Sequence, residues 1–192
     1  MKDKITQLIK ESIEAKKQML DAGQIETLEK IAKTLIKAYE GGKKALICGN
    51  GGSAADSQHF AAELVSRFQL ERKALAAVAL TTDTSIITAI GNDYSFENIF
   101  SRQVEALADS GDIVIGFTTS GNSPNVLKAI EQAKSAGAVA IGFTGSKECK
   151  LKDAADICFC APAQVTARIQ ECHSLAIHII CSLVETGIFQ KN

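Results

Sequence analysis

The chain has 192 residues, is 46% hydrophobic and 22% charged, and sets 21 Lys and Arg against 22 Asp and Glu for a net charge of −1. That is the balance of an ordinary globular domain, long enough to bury roughly 70% of its unfolded surface without disulfide or metal staples. With no basic excess to displace counterions or meet lipid headgroups, neither nucleic acid nor a membrane is an expected partner.

Over 3–20 the apolar residues Ile5, Leu8, Ile9, Ile13 and Met19 recur at helical spacing, and Ile25, Leu28, Ile31, Leu35 and Tyr39 repeat the pattern, so two helices lead the chain. Gly41 and Gly42 stop the second. A short apolar run over 44–48 then reads as a strand and breaks into a loop of small residues, Gly49 to Ser53. Residues 54–68 read as a helix, 76–80 as a strand, and 84–108 as mostly helical with a break at Gly91, Asn92 and Asp93. A third apolar run, 113–117, ends in the polar loop Thr118, Thr119, Ser120, Gly121, Asn122, Ser123. Pro124 opens the next helix, since proline tolerates the first helical position, and Ser123 stands where a capping hydroxyl belongs. That helix closes at Gly137, and two further runs follow at 139–143 and 157–160. The last element, 164–188, is a long helix whose apolar stripe is wider than one small domain needs. It and the leading helices, about 1–40, are therefore expected to pack against other subunits.

Short apolar strands alternating with helices predict a single α/β domain over 1–192, a three-layer sandwich with a central, mostly parallel five-stranded sheet plus the leading helices. Ligands in such sheets sit beyond the carboxyl ends of the strands, where both small-residue loops fall. The six cysteines, Cys48, Cys149, Cys158, Cys160, Cys172 and Cys181, are scattered through apolar segments and read as buried thiols of a reducing compartment. The first ten residues have no apolar core of signal-peptide type, and no run approaches about 20 apolar residues, so the expected location is the cytoplasm.

Two constellations carry chemistry. The loop 118–123 offers the hydroxyls of Thr118, Thr119, Ser120 and Ser123 and backbone N–H groups running into a helix N-terminus, a natural cradle for phosphate. It lacks the lysine of a P-loop, and Gly49 to Gly52 lacks the three-glycine dinucleotide spacing, so the phosphate of a sugar or another small molecule fits better than a nucleotide. A capped Ser/Thr turn with no ligand has the same composition. On the helix after the first loop, His59 and Glu63 are four apart and project from one face, where they can share a divalent metal or a substrate proton, or form a plain surface pair. On the last helix Gln170, His173 and His178 interrupt an apolar stretch, and spacing alone does not choose between the two histidines.

Taken together, Cys48 to Ser53, Gln58 to Leu64, Gly91 to Asp93, Thr119 to Ser123, and Ala167 to Glu171 with His178 resemble the phosphoheptose isomerase family of SIS (sugar isomerase) domains, whose sheet is flavodoxin-like. The resemblance spans nearly the whole chain. It implies a cytoplasmic homotetramer that interconverts sedoheptulose 7-phosphate and D-glycero-D-manno-heptose 7-phosphate through an enediol, supplying heptose for lipopolysaccharide or related glycans. By position it places Asn50, Gly51, Gly52, Ser53, Asn92 and Asp93 at the sugar, Thr118, Ser120 and Ser123 at the phosphate, and Thr119 near the reacting carbons. Glu63 and His178 become the acid/base pair. His59, Glu63, Gln170 and His178 become ligands of one zinc ion per subunit, with Gln170 and Glu63 also facing substrate. The chain departs from some relatives in carrying Ala167 where they have Asp, and Thr118 where many have Ser. A non-catalytic adaptor of the same fold, similar to the protein that associates with the replication initiator DnaA, is the alternative. Its pattern lacks the Glu and His that this chain has at 63 and 178.

Overall fold

In the computed structural model, which describes residues 1–190, the chain folds as α1 (Lys2–Gln18), α2 (Ala22–Glu40), β1 (Ala45–Gly49), α3 (Gly52–Val65), β2 (Ala77–Ala79), α4 (Thr84–Asp93), α5 (Ser101–Leu107), β3 (Ile113–Phe117), α6 (Pro124–Ser135), β4 (Val139–Thr144), α7 (Lys150–Ala154), β5 (Ile157–Cys160) and α8 (Thr166–Phe189). The five strands are all parallel, in the order β2-β1-β3-β4-β5. Strands β1 and β3 are buried at every position, which is why their sequences show no polar alternation. A row of matched residues, Ala79, Ile47, Ile115, Ile141 and Ile157, runs across the sheet in register. It faces the side on which α2, α3 and α8 contribute Leu35, Phe60 and Ile177 to the larger core. On the opposite face Leu46 and Val114 pack with Val104, Val126, Ile130 and Leu151 of α5, α6 and α7. The result is the expected three-layer sandwich, and the sheet order reverses between β1 and β3, the switch point where open α/β sheets take their ligands.

Several local expectations are corrected. Helix α4 continues through Gly91, Asn92 and Asp93, and the break falls at Tyr94, whose N–H still reaches the Ile90 carbonyl. Gly91 lies where an added Cβ would meet nothing, so its cost to the helix is only its intrinsic propensity, roughly 1 kcal/mol. Helix α3 starts at Gly52 and ends at Val65, short of Phe68. The short helix α7 is an addition. All six cysteines are free thiols, but only Cys48, Cys172 and Cys181 are buried, while Cys149, Cys158 and Cys160 are half-buried.

Helix α8 is long and apolar enough, by length and composition, to cross a membrane. It lies instead in the larger core, with Ile169, Cys172, Ala176, Ile177, Ile180 and Val184 buried, and both leading helices pack on it. The outer side of α1 is different: Ile5, Leu8, Ile9 and Ile13 are each between 40% and 55% exposed, an apolar stripe that none of the described residues buries.

Candidate active site

At the switch point the two predicted loops meet. The loop after β1 turns at Gly51, whose φ of 57° suits glycine, and enters α3 with Ser53 buried beneath it. Gly49 is required by close approach, since a Cβ there would stand 2.5 Å from the Ser53 carbonyl oxygen. Asn50 and Asn125 of α6 exchange two amide hydrogen bonds, each 2.8 Å, and tie this loop to the next. In the loop after β3 the Thr118 hydroxyl is 2.8 Å from that of Ser123 and 3.3 Å from that of Ser120. Ser123 does occupy the N-cap position of α6, yet its hydroxyl turns to Thr118 and makes no cap bond. Three hydroxyls thus cluster at the mouth of a helix, the arrangement expected for holding a phosphate.

The first turn of α8 borders both loops. A Cβ on Gly52 would stand 2.5 Å from the Gln170 Nε2, and one on Gly145 would meet both Ile169 and the Thr119 carbonyl oxygen. From there α3 and α8 run side by side in the same direction. Gln170 lies against Gly52, Ser174 donates to Asp56 Oδ1 at 3.3 Å, and His178 meets His59. Asp56 was not marked by the sequence, although it stands one turn before His59. It is buried, its Oδ2 has no hydrogen-bond partner among the described residues, and burial pushes its carboxyl up against the opposing pull of Ser174 and His59.

The acid/base candidates converge two turns down this seam. His59 Nε2 is 3.0 Å from Glu63 Oε1 and 3.4 Å from His178 Nε2, and one atom from each of the three residues lies within 4.8 Å of the others. At best a single His59 N–H is shared between a carboxylate oxygen and a second imidazole nitrogen, which leaves lone pairs facing one another. Two imidazoles and a carboxylate are a donor set suited to zinc, and one divalent cation would satisfy all three. Gln170 precedes His178 by eight residues, about 12 Å along the helix, and its carboxamide lies against Gly52 at the loop end of the site.

The structure also separates the two histidines. His173 is fully buried among the rings of Phe117, Phe143 and Phe159, with its Nε2 3.1 Å from the Thr144 carbonyl oxygen, and burial pushes its pKa down to about 4. It is a neutral core residue. His178 is half-buried and stacks on Phe68, ring centroids 5.5 Å apart. Asn92 and Asp93 are exposed at the end of α4, where the Asn92 side chain donates to Asp93.

The sequence profile of the SIS domain matches residues 7–145. A phosphoheptose isomerase of Clostridium acetobutylicum is 52% identical over 190 residues, which cover 98% of this chain and 97% of that one. The solved phosphoheptose isomerase of Francisella tularensis is 38% identical and superposes with a TM-score of 0.92 over 96% of this chain and 97% of its own. That of Neisseria gonorrhoeae is 41% identical, with a TM-score of 0.91 over 96% and 98%.

Proposed function

Because the chain belongs to the phosphoheptose isomerase family of SIS domains, we propose that it converts sedoheptulose 7-phosphate to D-glycero-D-manno-heptose 7-phosphate in the cytoplasm, for heptose destined for lipopolysaccharide or a related glycan. The observation that carries this reading is the meeting of Glu63 and His178 at His59, from helices more than a hundred residues apart in the chain. A non-catalytic adaptor needs neither group.

Aldose–ketose exchange moves one proton between C1 and C2 through an enediol and moves another between the two oxygens. Glu63 takes the carbon-bound proton and returns it to the neighbouring carbon, and His178 serves the oxygens. Such groups contribute about 10² to 10⁴ in rate. Thr118, Ser120 and Ser123 hold the phosphate, Asn50, Gly51, Gly52, Ser53 and Gln170 border the sugar between the loops and the triad, and Thr119 lies beside it. The triad stands about 10 Å down α3 from Gly52, so a substrate fixed at its phosphate reaches it with the other end. His59, Glu63 and His178, with Gln170 as the fourth ligand, would hold a zinc ion, one per subunit, whose contribution when bound is Lewis-acid polarisation of the carbonyl. The apolar stripe of α1 supports assembly into a homotetramer, and Asn92 and Asp93 complete the sugar-binding residues of that assembly.

Incubation of the purified protein with sedoheptulose 7-phosphate, followed by NMR, is expected to show the aldose 7-phosphate. The same sample, stripped by chelation and checked by elemental analysis, loses activity that added zinc restores, and light scattering gives four times the chain mass. An unchanged ketose spectrum from metal-replete protein removes the isomerase reading, full activity in the stripped sample removes zinc, and a monomeric mass removes the tetramer. For the phosphate cradle, Ser120→Ala is expected to weaken binding of the phosphorylated sugar at least about tenfold, since a hydrogen bond to a charged group contributes about 1.5–3 kcal/mol, while leaving the dephosphorylated sugar unaffected. Calorimetry with both ligands decides it, and equal losses argue against the assignment.

A further inference from the structure

We infer that Phe68, held in place by Glu185, is a positioning residue for His178, an inference that rests on the acid/base reading above. The χ2 torsion of a histidine is broad and roughly two-fold, so rotamer preference alone does not fix a half-buried imidazole. His178 is confined by two rings. His59 meets it edge-on, centroids 5.0 Å apart at 78°, and Phe68 lies nearly parallel to it at 17°. Together they leave the His178 Nε2 directed at the nitrogen of His59.

Phe68 is a loop residue, and a loop ring ordinarily moves. This one is tied down from below. Its backbone N–H donates to Glu185 Oε1 at 2.8 Å, and those of Gln69 and Leu70 donate to Oε2 at 2.8 and 3.0 Å. Arg72 Nε donates to the same carboxylate at 2.9 Å, and its two remaining nitrogens donate to the carbonyls of Glu63 and Leu64 at 2.8 and 2.7 Å. Glu185 stands seven residues beyond His178 on α8, two turns along the same side. One carboxylate therefore sets, through the loop, the ring that stacks on His178 and, through Arg72, the last turn of the helix that carries Glu63. Both members of the acid/base pair are referred to a single buried anchor. A misplacement of about 1 Å at such a pair is enough to cost on the order of 100-fold in rate.

The test uses Phe68→Ala and Phe68→Tyr in the full-length protein, with melting curves showing that both fold. Phe68→Ala is expected to lower kcat for sedoheptulose 7-phosphate about 10- to 100-fold with KM changed less than about threefold, and Phe68→Tyr to restore kcat. Independently of turnover, side-chain ¹H–¹⁵N spectra of the substrate-free protein are expected to show the His178 resonances shifted and broadened by Phe68→Ala and those of His173 unmoved. Loss confined to KM, no rescue by tyrosine, or an unperturbed His178 overturns the inference. If the wild type fails to turn the sugar over, the isomerase reading falls by itself, and the imidazole spectra still decide what Phe68 does.

Discussion

Glu63→Gln and His178→Gln are each expected to lower turnover at least about 100-fold while leaving the protein folded, as read by steady-state kinetics beside circular dichroism. The expectation follows from what each group must do. Glutamine at 63 keeps the length and polarity of the side chain on α3, but an amide has no basicity with which to take a proton from carbon. Glutamine at 178 keeps polarity on α8 and loses the imidazole that passes a proton between the two oxygens. Neither side chain carries the core: both are half-buried, and their apolar neighbours Leu64 and Ile177 remain. Because Glu63 serves the carbons and His178 the oxygens of one enediol exchange, the double variant is expected to be little worse than the poorer single, since residues that work as a unit are strongly non-additive. Near-normal turnover in either single variant removes that residue from the mechanism.

How far the site was legible in the sequence depends on where each residue finds its partners. The strands and the two loops were legible because a buried parallel strand has no polar alternation and a switch-point loop needs small residues. Gly49 and Gly51 satisfy close approach and positive φ in ways the bare sequence already implies. The choice between His173 and His178 was not legible from spacing, since both interrupt one apolar helix. What separates them is tertiary, a cage of three phenylalanines for one and α3 for the other. Helix α7 escaped the reading for a similar reason. The N–H groups of Lys150 and Leu151 are taken by the Asn122 side chain and the Gly121 carbonyl, so the start of the helix is held by the loop 118–123 and not by its own cap. The early end of α3 was hidden because the N–H donors that leave the helix are collected by Glu185, more than a hundred residues away. Local propensity cannot register that exchange.

That same carboxylate governs the largest effect expected on stability. The Arg72 and Glu185 side chains are 1% and 2% exposed, and removing one member of such a buried pair costs about 3–5 kcal/mol because the other charge is stranded. Arg72→Ala is expected to fall in that range, and Glu185→Ala to exceed it, because it also strips the partner from three backbone N–H groups. For a chain of this size each kcal/mol moves Tm by roughly 2–4 °C, so scanning calorimetry resolves the two variants. The acid limb of stability carries the same signature. Burial alone would push the Glu185 carboxyl up, but the N–H donors of Phe68, Gln69 and Leu70 together with Arg72 outweigh it and hold the group below the usual carboxylate range. A depressed folded-state pKa contributes stability that is fully present above the unfolded value, about 4.3, and is lost as pH falls through the folded one. Denaturant melts at pH 7 and in the acid range should therefore show the gap between wild type and Glu185→Ala narrowing as pH drops. A gap that stays constant with pH would mean that the carboxylate's charge is not what holds the loop.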